Sequence, residues 1–464
     1  MAAAAADLPA VLDRIDADLD QSLQRLFSFM RIASISTDPA YADACRAAAA
    51  HLAKDLASLG LATDVRETSG HPVVIGRGTD GSGPNVLFYG HYDVQPVDPL
   101  DLWETPPFEP RISTLDGDRK IIVGRGACDD KGQVMTFVEA CRAWKAVTGK
   151  LPVPITMMIE GEEECGSKGL FEFVRKNASE FRADLALVCD TGMWNAETPA
   201  ITTSLRGLLY EEVKTRAANR YLHSGLFGGA AQNPIRVLAK ILAALHDDQG
   251  RVMVPGFYDG MHELPADVKA DLAALNLTVD DFLSPVGLSV PAGETDRPLI
   301  EQISTRPTCD VNGVVGGYTG EGAKTVIAGE ASAKMSFRLV GDQDPAKIQT
   351  AFRAFVRECL PADCSVEFTN HALSPAIQLP YDNPALIKAR GALGDEWGRK
   401  AVTVGSGGSI PIVGDFKNVL GMDSLLVGFA LDDDRVHSPN EKYDLTSFHK
   451  GTRSWARILA QLAA

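Results

Sequence analysis

Five short apolar runs, each followed by acids or histidines, constrain this chain more than any other feature. They lie at 86–89, 121–123, 155–159, 185–188 and 424–429. Each is short and flanked by glycine or turn residues, so each reads as a buried strand. Helical stretches intervene. Residues 42–59 end at Gly60, which suits a helix terminus, and 134–147 lie between two of the runs. Leu12, Ile15, Leu19, Leu23, Leu26, Phe27 and Met30 recur at gaps of three and four and mark one apolar helix face. Buried strands alternating with helices predict an α/β fold, with a mostly parallel sheet flanked by helices.

The pattern changes near Leu205. Strand-like 207–214, helical 233–246, strand-like 311–315 and 324–339, helical 345–359 and strand-like 364–369 follow one another. Strand-helix-strand-strand-helix-strand is the split βαβ arrangement, an α+β domain. A stretch rich in Pro, Gly and Asp over 250–300 reads as irregular. The first pattern resumes with a helix at 383–397, the strand at 424–429 and a helix at 446–462. The expected organisation is one domain in two parts, 1–206 and 379–464, with 207–378 inserted as a second domain.

The chain has 45 basic and 61 acidic residues among 464, a formal net charge of −16. That balance repels phosphate backbones and argues against nucleic-acid binding. No run approaches the ~20 apolar residues that span a bilayer, so no membrane partner is expected. The first residues lack the basic segment of a secretory signal. The eight cysteines show no C-x-x-C spacing, which fits a reducing cytoplasm.

Ligands of open α/β sheets bind beyond the carboxyl ends of the strands. Those ends carry Gly90-His91-Tyr92-Asp93, then Gly124-Arg125-Gly126-Ala127-Cys128-Asp129-Asp130-Lys131-Gly132, then Glu160-Gly161-Glu162-Glu163-Glu164-Cys165-Gly166, then Cys189-Asp190, then Arg435-Val436-His437-Ser438. Singly, each has a plain reading as a turn, a helix cap or a solvated loop. Together they supply a nitrogen and oxygen donor set suited to Zn2+ or Mn2+.

These motifs, with Val94-Gln95-Pro96 after the first and Pro439-Asn440-Glu441 after the last, resemble the dinuclear zinc metallopeptidases. That family includes carnosine dipeptidases, aminoacylases, succinyl-diaminopimelate desuccinylases and glutamate carboxypeptidases, and the resemblance is greatest to the dipeptidases. It implies two divalent ions, Zn2+ ahead of Mn2+. His91 and Asp190 would hold one, Glu164 and His437 the other, with Asp129 bridging. Glu163 would be the general base and Asp93 would orient His91. A cis peptide is implied between Asp129 and Asp130.

On the substrate side, the resemblance implies that His223 stabilises the oxyanion, often in the partner subunit's site, and that Arg338 grips the substrate carboxylate. Gly408 and Ser409, in a glycine-rich loop, and Asn312 are further candidates. The expected activity is hydrolysis of the peptide bond next to a free C-terminal carboxylate in a dipeptide or short peptide, by metal-activated water. The expected assembly is a homodimer through the inserted domain. Two alternatives remain open: an N-acyl-amino-acid deacylase, and a non-catalytic peptide-binding relative. Cys128, Cys165 and Cys189 flank the candidate ligands and read as buried, inert thiols rather than zinc ligands.

Overall fold

A computed structural model describes residues 2–407 and 410–464. The chain forms two compact units. One runs to Thr203 and includes Leu379–Val404 and the segment from Ile410 to Ala464; the other is Ser204–Gln378 with the short segment that starts at Gly405.

The first unit is built on a large sheet. Its strands run, side by side, Ala62–Arg66, Val73–Gly78, Ile155–Glu160, Val86–His91, Leu185–Val188, Asp423–Leu426 and Ala200–Leu205. The centre is parallel: Val86–His91 pairs with both Ile155–Glu160 and Leu185–Val188, and Asp423–Leu426 joins Leu185–Val188. The flanks are antiparallel. Every residue of Val86–His91 is buried, as a central strand covered on both faces must be.

Helices Lys131–Thr148 and Leu445–Ala463 pack on this sheet. Phe88 of the central strand stacks on Phe137, centroids 3.8 Å apart, and Trp455 meets both rings edge-on. Gly149, at φ 74°, ends the first of these helices. The single apolar face read near the N-terminus belongs to two helices, Ala2–Ala17 and Leu19–Met30, which break at Asp18.

One strand is not where the pattern put it. Lys120–Val123 leaves the main sheet and pairs antiparallel with Arg111–Thr114 and Lys442–Asp444 in a sheet of three. A run of three apolar residues fills a small sheet as well as a central strand, and periodicity does not separate the two.

The second unit holds four antiparallel strands in the order Thr308–Gly316, Glu330–Leu339, Gly207–Arg216, Ser365–Ser374. Helices Pro234–Ala243 and Pro345–Glu358 cover one face through Leu209, Val213, Met335 and Phe337. Residues 250–300, expected to be irregular, contain the helices Ala266–Ala274 and Val279–Leu283, and Leu299–Ser304 begins at their end. These are short, of nine, five and six residues, so they leave almost no periodic signal; only Val279–Leu283 has a side-chain cap, the Thr278–Asp281 capping box.

Candidate metal centre

Each candidate ligand sits where the backbone turns. His91 ends the central strand and is fully buried. Its Nε2 lies 3.0 Å from Asp129 Oδ1, and its Nδ1 lies 3.3 Å from Asp93 Oδ1. Asp129 stands in the loop between Lys120–Val123 and the helix that begins at Lys131. That loop is tight: Gly126 has φ 78°, and a Cβ on Gly132 would come within 1.8 Å of the Ala127 carbonyl oxygen. The Asp129–Asp130 peptide is cis.

Asp129 faces both ways. Its Oδ2 lies 2.9 Å from His437 Nε2, which in turn lies 3.2 Å from Glu164 Oε2. One ligand atom from each of His91, Asp129 and Asp190 falls within 4.8 Å of the others, and so do atoms from Asp129, Glu164 and His437. The two groups share Asp129.

His437 has φ 61°, and its neighbours Arg435 and Asn440 are also left-handed. Such strain, about 1–3 kcal/mol per residue, persists only where the surroundings impose it. Asn440 supplies one restraint, accepting the Glu104 N–H at 2.8 Å and donating to the Leu102 carbonyl at 2.8 Å. Glu441 supplies another. Its carboxylate accepts N–H groups from Gly126, Cys128 and Asp129 and pairs with buried Arg125 at 2.7 Å.

The electrostatics fit divalent cations. Burial works against the Asp129 charge, but hydrogen bonds from His437 and His91 hold its pKa below the usual carboxylate range. His437 is pushed up to about 10 by Asp129 and Glu164. Asp190 is pushed up to about 8 by burial and then by the Asp129 charge. Glu164 Oε1 is buried without a hydrogen-bond partner, and Asp190 accepts no hydrogen bond among the described residues. Carboxylates packed this closely need positive charge among them, and free oxygens beside imidazole nitrogens are the donors that Zn2+ and Mn2+ take.

Glu163 and Glu164 lie on one turn, Glu163–Cys165. Asp93 holds that turn: Oδ1 accepts the Glu163 N–H at 3.3 Å and Oδ2 the Glu164 N–H at 3.1 Å. Burial raises the Glu163 pKa. Glu162 is otherwise engaged, since its carboxylate accepts N–H groups from His71 and Gly169. Gln95, which the sequence did not single out, donates from Nε2 to Glu164 Oε2 at 2.7 Å.

Cys128 and Cys189 are buried, and burial holds both thiols well above their ordinary pKa. Cys165 is exposed, against expectation, because its turn lies at the surface. Burial of its thiol still raises its pKa. Among the described residues no cysteine joins either ligand group. A third acidic cluster, Asp433, Asp434 and Asp444, already surrounds Lys442 Nζ.

The pattern of the peptidase family M20/M25/M40 matches residues 87–461. The chain belongs to this family. It is a metal-dependent peptidase, a hydrolase. It is 30% identical over 475 residues to the Cys-Gly metallodipeptidase dug1 of Schizosaccharomyces pombe, covering 98% of each chain. It is also 30% identical over 399 residues to the Beta-Ala-His dipeptidase of Homo sapiens, covering 84% of this chain and 78% of that one. Among solved structures, an M20 family metallo-carboxypeptidase from Sulfolobus solfataricus matches with a TM-score of 0.78 at 29% identity, covering 95% of this chain and 99% of that chain.

The substrate-side candidates lie in the second unit. His223 is exposed, and its Nδ1 accepts the Gly225 N–H at 3.0 Å. Asn312 sits at a bulge in the edge strand, between Val311 and Gly313. Arg338 is half-buried and lies across from Leu208 and Thr308 in the sheet. Gly408 and Ser409 lie outside the described residues.

Proposed function

We propose that this peptidase is a dimetal dipeptidase that cleaves the peptide bond next to a free C-terminal carboxylate. The observation that carries this is the sharing of Asp129 between two ligand groups, with Glu163 on the adjoining turn. His91 and Asp190 are assigned to one metal, Glu164 and His437 to the other, and Asp129 to both. Two divalent ions held there would supply Lewis acidity, polarising a carbonyl and acidifying water. Zn2+ is the assigned metal, and the carboxylate-rich part of the same set also suits Mn2+.

Glu163 takes the proton of the attacking water and passes it to the leaving amine nitrogen. Its raised pKa suits both halves of that transfer, and its neighbour Glu162 is occupied in holding backbone. Asp93 fixes the His91 ring through Nδ1 and the turn of Glu163 through its N–H, so ligand and base share one support. His223 is assigned to the oxyanion, and Arg338, with Asn312, Gly408 and Ser409, to the substrate carboxylate end.

Residues 207–378 are assigned as a lid and dimerisation domain. The edge strand Thr308–Gly316 supports a second copy as its partner: Val311, Val314 and Val315 are 45%, 57% and 70% exposed. All eight cysteines are unpaired thiols, which supports a cytoplasmic location. Among the described residues no helix is long and apolar enough to cross a membrane.

A panel of dipeptides assayed beside N-acetyl and N-succinyl amino acids tests the reading. Turnover confined to the acyl amino acids would replace the dipeptidase assignment with a deacylase.

A further inference from the structure

Arg206 is a buried cation without an anion. It is 8% exposed, and its side chain makes one hydrogen bond, from Nη2 to the Gln302 carbonyl oxygen at 2.7 Å. Its Nε is buried and has no partner. The other buried arginines are paired: Arg125 with Glu441 and Arg306 with Glu294. A guanidinium is kept in such a place, unpaired, when something else brings the negative charge.

The neighbours indicate what that is. Arg206 stands two residues before Leu208, the cross-strand partner of Arg338. The Arg206 N–H donates to the Ser406 carbonyl at 3.2 Å, which ties it to the glycine-rich segment that starts at Gly405. The Arg338 side chain makes no hydrogen bond or ion pair among the described residues. Burial and then the Arg338 charge lower the Arg206 pKa to about 10, while Asp310 pulls it back up. Two arginines and one aspartate leave one net positive charge, the complement of a single carboxylate.

We propose that Arg206 and Arg338 form one carboxylate receptor, in which the free Nε of Arg206 donates to the C-terminal carboxylate of the substrate. This rests on the dipeptidase reading and adds a residue to it. A planar fork with an unused N–H suits a carboxylate, and lysine offers no equivalent donor.

Calorimetric binding of alanylalanine and of its C-terminal amide tests the receptor in the metal-loaded Glu163→Gln protein, where slow turnover leaves binding readable. The parent should favour the acid. Adding Arg206→Gln or Arg206→Lys should weaken the acid by about tenfold to a hundredfold, the range for a hydrogen bond to a charged group, and leave the amide unchanged. Equal weakening of acid and amide, or an unchanged ratio, would overturn the proposal, since a merely structural arginine does not distinguish the two ligands. If the wild-type protein fails to cleave dipeptides while the acid preference depends on Arg206, the catalytic reading falls and the receptor stands.

Discussion

Glu441 accepts the backbone N–H of Asp129 at 3.1 Å, across 312 residues of sequence. The same carboxylate holds the N–H groups of Cys128 and Gly126 and the guanidinium of Arg125. It fastens the segment carrying His437 to the loop carrying Asp129. Glu441→Gln removes the charge and one acceptor, so metal affinity should fall by about 10–100-fold, as for other residues that support ligands. Competition with a chromophoric chelator measures it. Glu441→Ala leaves Arg125 buried and unpaired, and should lower unfolding free energy by about 3–5 kcal/mol in denaturant titrations.

Glu163→Gln should keep both metals and lose about 10²–10⁴-fold in kcat, because the amide fills the space without accepting a proton. Asp129→Ala should lose metal as well as activity. Metal content by elemental analysis beside kcat separates the two, and near-normal turnover of Glu163→Gln would place the base elsewhere.

Exhaustive chelation should abolish hydrolysis, and Zn2+ or Mn2+ should restore it. Dialysis against a chelator, elemental analysis and re-addition of single ions check this. Full activity in a preparation verified to be metal-free would remove the dimetal mechanism.

His223 leaves its Nε2 without a partner among the described residues, on an exposed side chain. If it serves the site of a second copy, His223→Ala and Glu163→Gln are each nearly inactive alone and recover activity when mixed. An oxyanion donor is worth about 2.7–4 kcal/mol, so the recovery is large enough to read. Heterodimers shown by native mass spectrometry, with no activity, would confine His223 to its own chain.

Asp433 should shape acid stability. Hydrogen bonds from Arg119, ahead of those from Lys442, lower its pKa to about 2. The folded chain binds fewer protons there than the unfolded one. The stabilisation is therefore whole above the free pKa of about 4 and is lost as pH falls through 2. The side chain is 54% exposed, so screening limits the effect to about 1 kcal/mol or less. Asp433→Asn should lower stability by that amount at pH 7 and by progressively less as pH falls through 2, in denaturant titrations at both values.

The candidate cluster was legible because a polar residue directly after a buried strand has few structural uses. His91 and Asp190 follow that rule, and they meet Asp129 in the folded chain. Of the supports, Asp93 alone was given a role from the sequence. Glu441 and Gln95 act through backbone groups or through partners far along the chain, and no periodicity encodes those. The same limit misplaced 120–123: its apolar residues announce burial, but the choice of neighbours is made by Arg111–Thr114 and Lys442–Asp444. The helices in and beside 250–300 escaped notice because they are too short to repeat an apolar period.

The strand Asp423–Leu426 lies between Leu185–Val188 and Ala200–Leu205, and this has a consequence in time. A ribosome delivers His91, Asp129 and Asp190 before the second unit and His437 after it. The nascent chain thus owns one complete ligand group while the other lacks its histidine, and the sheet keeps an open slot until Asp423–Leu426 emerges. Closure of the central sheet, and the meeting of His437 with Asp129, therefore wait until synthesis has passed the second unit.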